Sequence, residues 1–332
     1  MTLSSRVGKG CASLLAVAAF SLSTTALAQS PTAGNEPSKW PYAFPLFGDK
    51  VSEEGIKMPL PFGIGVNYAY ANQPIEISRI AVAVNDGEYV DLSDLIKFDK
   101  LTSTAHLMNL RADLWLLPFM NVYGMANYIV ESQTKVSIVE PFAFDAGATQ
   151  QGAGGGFGMT FAGGIWGLFA TLDLNWTWNK MENLNDPVPT FLLTPRIGQN
   201  LGKVGGVEFI VWGGAMRQRI ASETKGSINL RDAVGGAADG SFQEDLQTWY
   251  DGLPPGQQAI VGGIVGRING ERDPVIHYDL DKSIAYPWNL LIGGEIGLSQ
   301  AWRIRAEFGF INRTQLVLGL NYRFGGFLGG AP

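Results

Sequence analysis

The sequence predicts an all-β fold: a transmembrane antiparallel up-and-down β-barrel of about ten strands with a long extracellular loop. Glycine supplies 43 of the 332 residues and charged residues only 16%, whereas soluble domains average roughly 7% glycine and 25% charge. Apolar and small or polar side chains alternate in segments of about ten residues, which is the pattern of strands with unlike faces. The connections between these segments alternate between short and long, as they do in membrane barrels.

Six segments alternate clearly, over 62–70, 105–116, 168–179, 288–298, 302–310 and 316–324. Four weaker segments bring the predicted number of strands to ten, at 121–131, 153–163, 189–199 and 207–219. A soluble sandwich alternates too, but aromatic residues at strand ends, such as Trp178, Trp288 and Trp302, favour the girdles of a membrane barrel. Twelve strands are the alternative if the long loop, 220–286, contains a further spanning pair.

Residues 1–28 have the features of a cleaved secretory signal peptide. Arg6 and Lys9 precede an apolar core, and the small residues of 26–28 supply the cleavage site. Cys11 is the only cysteine, so the mature chain is expected to have no disulfide, thiolate metal site or cysteine nucleophile. The 30 acidic residues outnumber the 24 basic ones, so nucleic acid is not expected as a partner of this exported chain.

The last predicted strand ends in Gly-Leu-Asn-Tyr-Arg-Phe, where Gly319, Tyr322 and Phe324 resemble the terminal signature of Gram-negative outer-membrane barrels. This resemblance implies a location in the outer membrane, among its lipid and lipopolysaccharide, and recognition by the outer-membrane assembly machinery. The chain departs from the signature at Val317, where a polar residue is usual, and in the C-terminal tail 325–332.

The chain also resembles a group of uncharacterised outer-membrane barrels. Its first strand contains Pro-Phe-Gly-Ile-Gly at 61–65, and a later turn contains Trp-Leu-Leu-Pro-Phe at 115–119. This second resemblance implies the barrel fold and brings no activity with it.

The predicted lumen face carries five arginines and five carboxylates, and no lysine. Arginine pairs with carboxylates through two parallel hydrogen bonds and stays charged when partly desolvated. Because a barrel of about ten strands is narrow, we expect these side chains to form a salt-bridged plug; the alternative is a constriction that selects a small polar solute. The ten residues are Arg111, Asp113, Asp173, Arg196, Glu208, Glu295, Arg303, Arg305, Glu307 and Arg323.

The function expected from these features is a narrow channel or transporter-like barrel for a small solute. A closed barrel with a structural or surface-interaction role is the alternative, and a lipid-modifying enzyme is the weakest candidate. His106 lies near Ser103 and Thr104, but no lipase signature surrounds it, and His277 reads as a loop histidine. Neither histidine has metal-ligand spacing, so no metal and no cofactor are expected.

Two long segments, 220–286 and 29–57, lie outside the predicted spanning strands. The 220–286 loop is too long for a simple connection. Its ends, 227–230 and 275–280, are predicted to extend a hairpin outward, and Ser241 with Glu244 forms a capping box before a helical pair. That pair is expected to pack over the mouth or to bind an extracellular partner. The proline-rich segment 29–57 precedes the barrel, 58–324, as a periplasmic segment or a plug.

Overall fold

Ten antiparallel strands close into a barrel in a computed structural model that describes residues 39–140, 144–182, 184–221, 223–234, 241–271 and 273–325. Each strand pairs with its neighbours in chain order, and the last strand pairs with the first. The predicted signal peptide, 1–28, and residues 326–332 of the C-terminal tail lie outside the described residues. The barrel strands are β1 (Phe62–Val84), β3 (Lys97–Leu117), β4 (Met120–Glu140), β5 (Phe144–Ile165), β6 (Leu168–Met181), β7 (Val188–Val204), β8 (Val207–Ile220), β11 (Trp288–Gly297), β12 (Trp302–Phe310) and β13 (Thr314–Phe324).

The prediction of an all-β barrel with ten strands is confirmed, and the twelve-strand alternative is wrong. The long loop does contain strands, but β9 (Glu223–Asn229) and β10 (Val275–Ile284) pair with each other and with the upper part of β1. They therefore lie outside the ring, together with the two-residue strand β2 (Val90–Asp91), which also pairs with β1.

Alternation along the strands gives the barrel an apolar outer surface and a polar interior. On β1, Ile64 and Val66 are 46% and 48% exposed on the outside, while the intervening positions face the lumen and are buried. On β12, Ile304 and Phe308 face outward and Arg305 and Glu307 face inward. This distribution is the reverse of that in a soluble protein and is the one that a surrounding lipid requires.

The two ends of the barrel differ. At the short-turn end, strands are joined through 118–119, 166–167, 205–206 and 298–301. At the opposite, long-loop end, the segments 72–102 and 132–152, which lie between predicted strands, consist largely of strand, because β1 continues to Val84 and β4 to Glu140. Sequence alternation missed these extensions because their outward positions, such as Glu76 and Thr102, are no longer apolar.

A hairpin crosses the mouth at the long-loop end. β10 pairs with β1 from Ile75 upward, just above the point where β13 ends beside Asn72. β9 pairs with β10, and its Gly226 forms a bridge with Leu184 in the connection between β6 and β7. Because that connection lies opposite β1 in the ring, the β9–β10 hairpin spans the opening.

Helices complete the covering of the mouth. α2 (Leu230–Val234), α3 (Ser241–Asp251) and α4 (Pro255–Gly270) lie between β9 and β10, and α3 begins at the predicted capping residue. One buried apolar cluster is continuous from Leu107 and Met181 in the lumen to Phe242 and Val261 on the helices. We call β9, β10 and these three helices the cap. No helix among the described residues is long and apolar enough to cross a membrane.

The described part of the N-terminal segment lies along the rim at the short-turn end. It contains the short helix α1 (Gly48–Glu53). The Leu46 amide donates to the Leu116 carbonyl at 2.9 Å, and the Phe44 ring packs edge-on against Phe62. The segment thus covers the edge of the barrel next to its first strand.

Candidate functional site

All ten charged residues expected on the lumen face lie at inward positions of the barrel strands. They form three ion-paired groups near the short-turn end, which we call the lumen charge network. Nine of them are at most 7% exposed, and the side chain of Arg303 is 15% exposed. Each inward position follows from strand alternation, which places every second residue toward the barrel axis.

The central group holds two arginines and two carboxylates and is electrically balanced. Arg196 on β7 donates through Nε to Glu307 Oε2 at 2.7 Å and through Nη2 to Oε1 at 3.0 Å. It also pairs with Asp173 on β6. Arg305 Nη2 and the indole of Trp212 also donate to Glu307 Oε2, at 2.8 and 2.7 Å. Glu307 is therefore surrounded by donors, which offsets the cost of burying its charge.

The second group has an excess of negative charge. Arg303 donates to Glu208 at 2.9 Å and to Glu295 at 2.6 Å, joining strands β12, β8 and β11. One cation thus serves two carboxylates. Because Arg303 bridges Glu208 and Glu295, its removal would weaken the compensation of two buried negative charges.

The third group has an excess of positive charge. Asp113 lies 3.0 Å from Arg323 and 3.9 Å from Arg111. Arg111 also donates to the amide oxygen of Asn121 at 2.9 Å and stacks over the Tyr123 ring, with its guanidinium carbon 3.4 Å from the ring centre. The excesses of the second and third groups cancel, so the whole network is neutral.

Above this network lies a chain of asparagines that sequence reasoning missed. Asn67 donates to Asn109 at 3.1 Å, Asn109 to Asn127 at 2.7 Å, and Asn127 to Asn179 at 3.1 Å. The chain runs across β1, β3, β4 and β6, and it passes over β5 because Gly154 has no side chain there. The available signal was one inward asparagine on each of four predicted strands.

Large apolar side chains fill the lumen above the asparagine chain. Leu107, Ile129, Leu192, Met216 and Leu291 come from five strands and are each at most 3% exposed. Leu107 and Ile129 belong to the buried cluster that continues into the cap, whereas the other three form a separate buried cluster. The lumen is thus occupied by the charge network near the short-turn end, and by amide and apolar side chains farther toward the mouth.

A sixth buried arginine was also missed. Arg313, in the turn between β12 and β13, is 3% exposed and donates to the amide oxygens of Gln73 and Gln218. Strand alternation could not identify it because it lies in a turn. The signal that was available is the shortness of that turn, which leaves a long side chain little room except over the lumen.

The two histidines do not form the arrangements that the enzyme alternative requires. His106 faces outward, with Nδ1 2.7 Å from the hydroxyl of Tyr68, whereas Ser103 faces the lumen and is fully buried. Thr104 accepts a hydrogen bond from Asn72 instead. His277 lies on β10 beside Ala83. No group of three or more metal-ligating side chains occurs within the part of the chain that is described.

The residues of the terminal signature lie on the strand that closes the barrel. Phe324 stacks on Phe62 with ring centres 5.7 Å apart, and Tyr322 packs against Trp302 at 4.8 Å. Gly319 faces inward, where the amide oxygen of Asn67 occupies the space of a β-carbon. The glycine therefore makes room for the start of the asparagine chain.

No protein-family model matches the chain, and no curated protein matches it. Among solved structures, it is similar to the β domain of the Bordetella autotransporter Brka, with 8% identity, a TM-score of 0.39, and coverage of 80% of this chain and 100% of that one. It is also similar to the transport unit of autotransporter AIDA-I from Escherichia coli, with 10% identity, a TM-score of 0.36, and coverage of 80% and 90%.

A third similar structure is the outer membrane protein OprG from Pseudomonas aeruginosa, with 11% identity, a TM-score of 0.35, and coverage of 80% of this chain and 98% of that one. These TM-scores are low, so the description of the fold rests on the strand pairing within this chain.

Proposed function

We propose that the protein is an outer-membrane β-barrel whose lumen is closed and whose cap is presented at the cell surface. In this role the barrel is a membrane-embedded support for the cap. The observation that carries the proposal is the lumen charge network, because its ten side chains are inward, buried and ion-paired. Paired side chains that fill a narrow barrel leave no continuous water path.

The outer surface supports the location in a membrane. Large apolar side chains form a band around the barrel, and aromatic residues flank it at both ends, with Trp302 and Tyr322 near the short turns and Trp178 and Trp288 near the long loops. Such girdles lie at the two lipid–water boundaries of outer-membrane barrels. In those proteins the short turns face the periplasm, which supports an extracellular position for the cap.

A narrow channel for a small solute is the second candidate. The partial exposure of Arg303 favours it, because this is the most accessible charge of the network and lies at the short-turn end. A catalytic role has less support, since His106 is engaged by Tyr68 on the outer surface and Ser103 lies on the other side of the barrel wall.

Planar-bilayer recording of the refolded protein separates these candidates. We expect the wild type to show no steady conductance. Replacing Arg303 and Arg305 by alanine leaves Glu208, Glu295 and Glu307 short of partners and clears volume, so this variant should pass cations in preference to anions. The matched control replaces two exposed basic residues of the long-loop end, Arg79 and Lys97, and should stay silent.

Steady large openings in the wild type would reject the closed barrel and favour the channel. A double variant as silent as its parent would show that the charge network does not close the lumen, and would move that role to the cap.

A further inference from the structure

The cap contains a partly enclosed apolar cavity of about 150 Å³ that is separate from the lumen charge network. Its walls come from the upper ends of β1 and β4, the connection between β1 and β3, strand β10 and the cap helices. No polar atom contributes to the accessible lining. Residues that define its shape are Leu92, Phe242, Leu246, Trp249, Val261 and Val265.

The apolar lining offers an ordered water molecule no hydrogen-bond partner. A buried water needs two to four polar partners, and an apolar cavity of about 150 Å³ in another protein stays dry and takes up benzene or xenon. The side chains that surround a void lose dispersion contacts on one side, so a ligand that restores them binds. The lining excludes charged and hydrogen-bonding ligands because it offers them no partner.

We propose that the cap contains a binding site for a small uncharged apolar molecule about the size of one aromatic ring. The cavity volume limits the ligand to this size, and the wholly apolar lining sets its chemistry. Known pockets for larger ligands occupy roughly 300 Å³ or more, so a long acyl chain does not fit. This function goes beyond the support role proposed above and does not require an open lumen.

The route into the cavity lies on the outer side of the cap. Leu95, Ile96 and Trp249 line the cavity and are only partly buried, so its edge reaches the cap surface. One wall is α4, whose 16 residues include five glycines. Each glycine weakens a helix relative to alanine, so α4 is the wall that most easily moves to admit a ligand.

The experiment uses two probes on the full-length refolded protein. Crystals soaked in iodobenzene should show anomalous scattering from iodine between α3 and α4. In solution, toluene at ten times its dissociation constant should slow hydrogen exchange of the α3 and α4 amides about elevenfold where they exchange by local opening.

Matched variants on one helix identify the cavity as the site. Val265→Phe fills the cavity and should abolish both effects. Ile260→Phe adds a comparable ring on the same helix, but Ile260 is 54% exposed and does not line the cavity, so both effects should persist. All variants share one detergent, so partitioning of toluene into micelles is the same for each.

Leu246→Ala keeps the proposal falsifiable if Val265→Phe does not fold. It enlarges the cavity, so it should bind p-xylene more tightly than the wild type does. The proposal is overturned if iodine density is absent from the wild-type cavity, or if toluene slows exchange equally in the filled variant and the control. It is also overturned if Leu246→Ala binds p-xylene no more tightly than the wild type does.

Discussion

Arg196 on β7 donates to both carboxylate oxygens of Glu307 on β12, and two strands, β8 and β11, lie between them in the ring. The pair therefore bridges strands that are not neighbours in the ring. A bidentate ion pair has a fixed geometry, so it holds these two parts of the wall at a defined separation. The polar side chains of the lumen therefore help to hold the barrel wall together.

Loss of Glu307 should reveal how much this pair matters. We expect Glu307→Leu to lower the free energy of unfolding by roughly 3–5 kcal/mol, because it leaves Arg196 and Arg305 buried with reduced compensation. The control is Glu140→Leu, which breaks the Lys97–Glu140 pair at 2.6 Å between side chains that are 61% and 53% exposed. That change should cost less than about 1 kcal/mol. Urea unfolding in detergent measures both, and equal costs would contradict the assigned role of the buried pair.

The inward glycines of β5 provide a second test. A β-carbon at Gly156 would overlap the carbonyl oxygen of Trp176, which belongs to the backbone of β6. We expect Gly156→Ala to destabilise the barrel by about 1–3 kcal/mol through overpacking. At Gly124, on the outer face, a β-carbon meets nothing within 4 Å, so Gly124→Ala should be tolerated. A tolerated change at Gly156 would mean that β5 and β6 are farther apart than described.

Depth in the membrane is tested on the outer face. Ile292 lies in the middle of β11 and Leu298 in the turn that follows, and they are 57% and 50% exposed. Ile292→Arg should cost about 2–4 kcal/mol, because arginine is most unfavourable at the bilayer midplane, whereas Leu298→Arg should cost about 0–1 kcal/mol. Unfolding from lipid vesicles measures both values. If the two variants unfold at the same urea concentration, the outer surface does not span a bilayer as proposed.

The stability of the cap should depend on pH through Lys282. This residue lies on β10, above the barrel ring, where burial lowers its pKa from 10.5 to about 7. Between these values the unfolded chain binds a proton that the folded chain does not, so stability rises with pH by up to about 1.4 kcal/mol per unit. Lys282→Met removes the titrating group and should flatten this dependence between pH 7 and 9. An unchanged slope in the variant would assign the effect to other groups.

The terminal signature predicts an effect on assembly. We expect Phe324→Glu to reduce insertion into the outer membrane while export continues, measured by the protein found in membrane and periplasmic fractions. Because Phe324 stacks on Phe62, Phe62→Glu is the control for lost packing alone. Equal losses in the two variants would indicate that the stack, and not recognition of the last strand, is what matters.

The sequence predicted the ring well because lipid imposes a strict rule on every spanning strand. Ile304 and Phe308 must be apolar and Arg305 must face inward, so alternation alone identified β12 and its lumen charges. The pairing partners could not be predicted, since Arg196 and Glu307 are 111 residues apart and meet only through the ring order. The strand extensions were missed because no lipid constrains Glu76 or its neighbours.

The same limit applies to the cap. The helical spacing of apolar residues located α3 and α4. That spacing does not show whether the apolar faces of the two helices leave a void between them. The cavity depends on how Phe242 and Val265 approach residues of the β1–β3 connection. The cap helices lie between β9 and β10, and the pairing of β10 with β1 is a long-range contact.

The bridge between Leu184 and Gly226 has a mechanical consequence for the wall. β1 and β13 form the seam where the barrel closes, and β1 is also attached through β10 and β9 to the far side of the ring. A sideways parting of this seam would pull on the hairpin and strain its anchorage beside β6. The hairpin therefore acts as a brace, and the barrel resists opening toward the lipid at the one joint where its two ends meet.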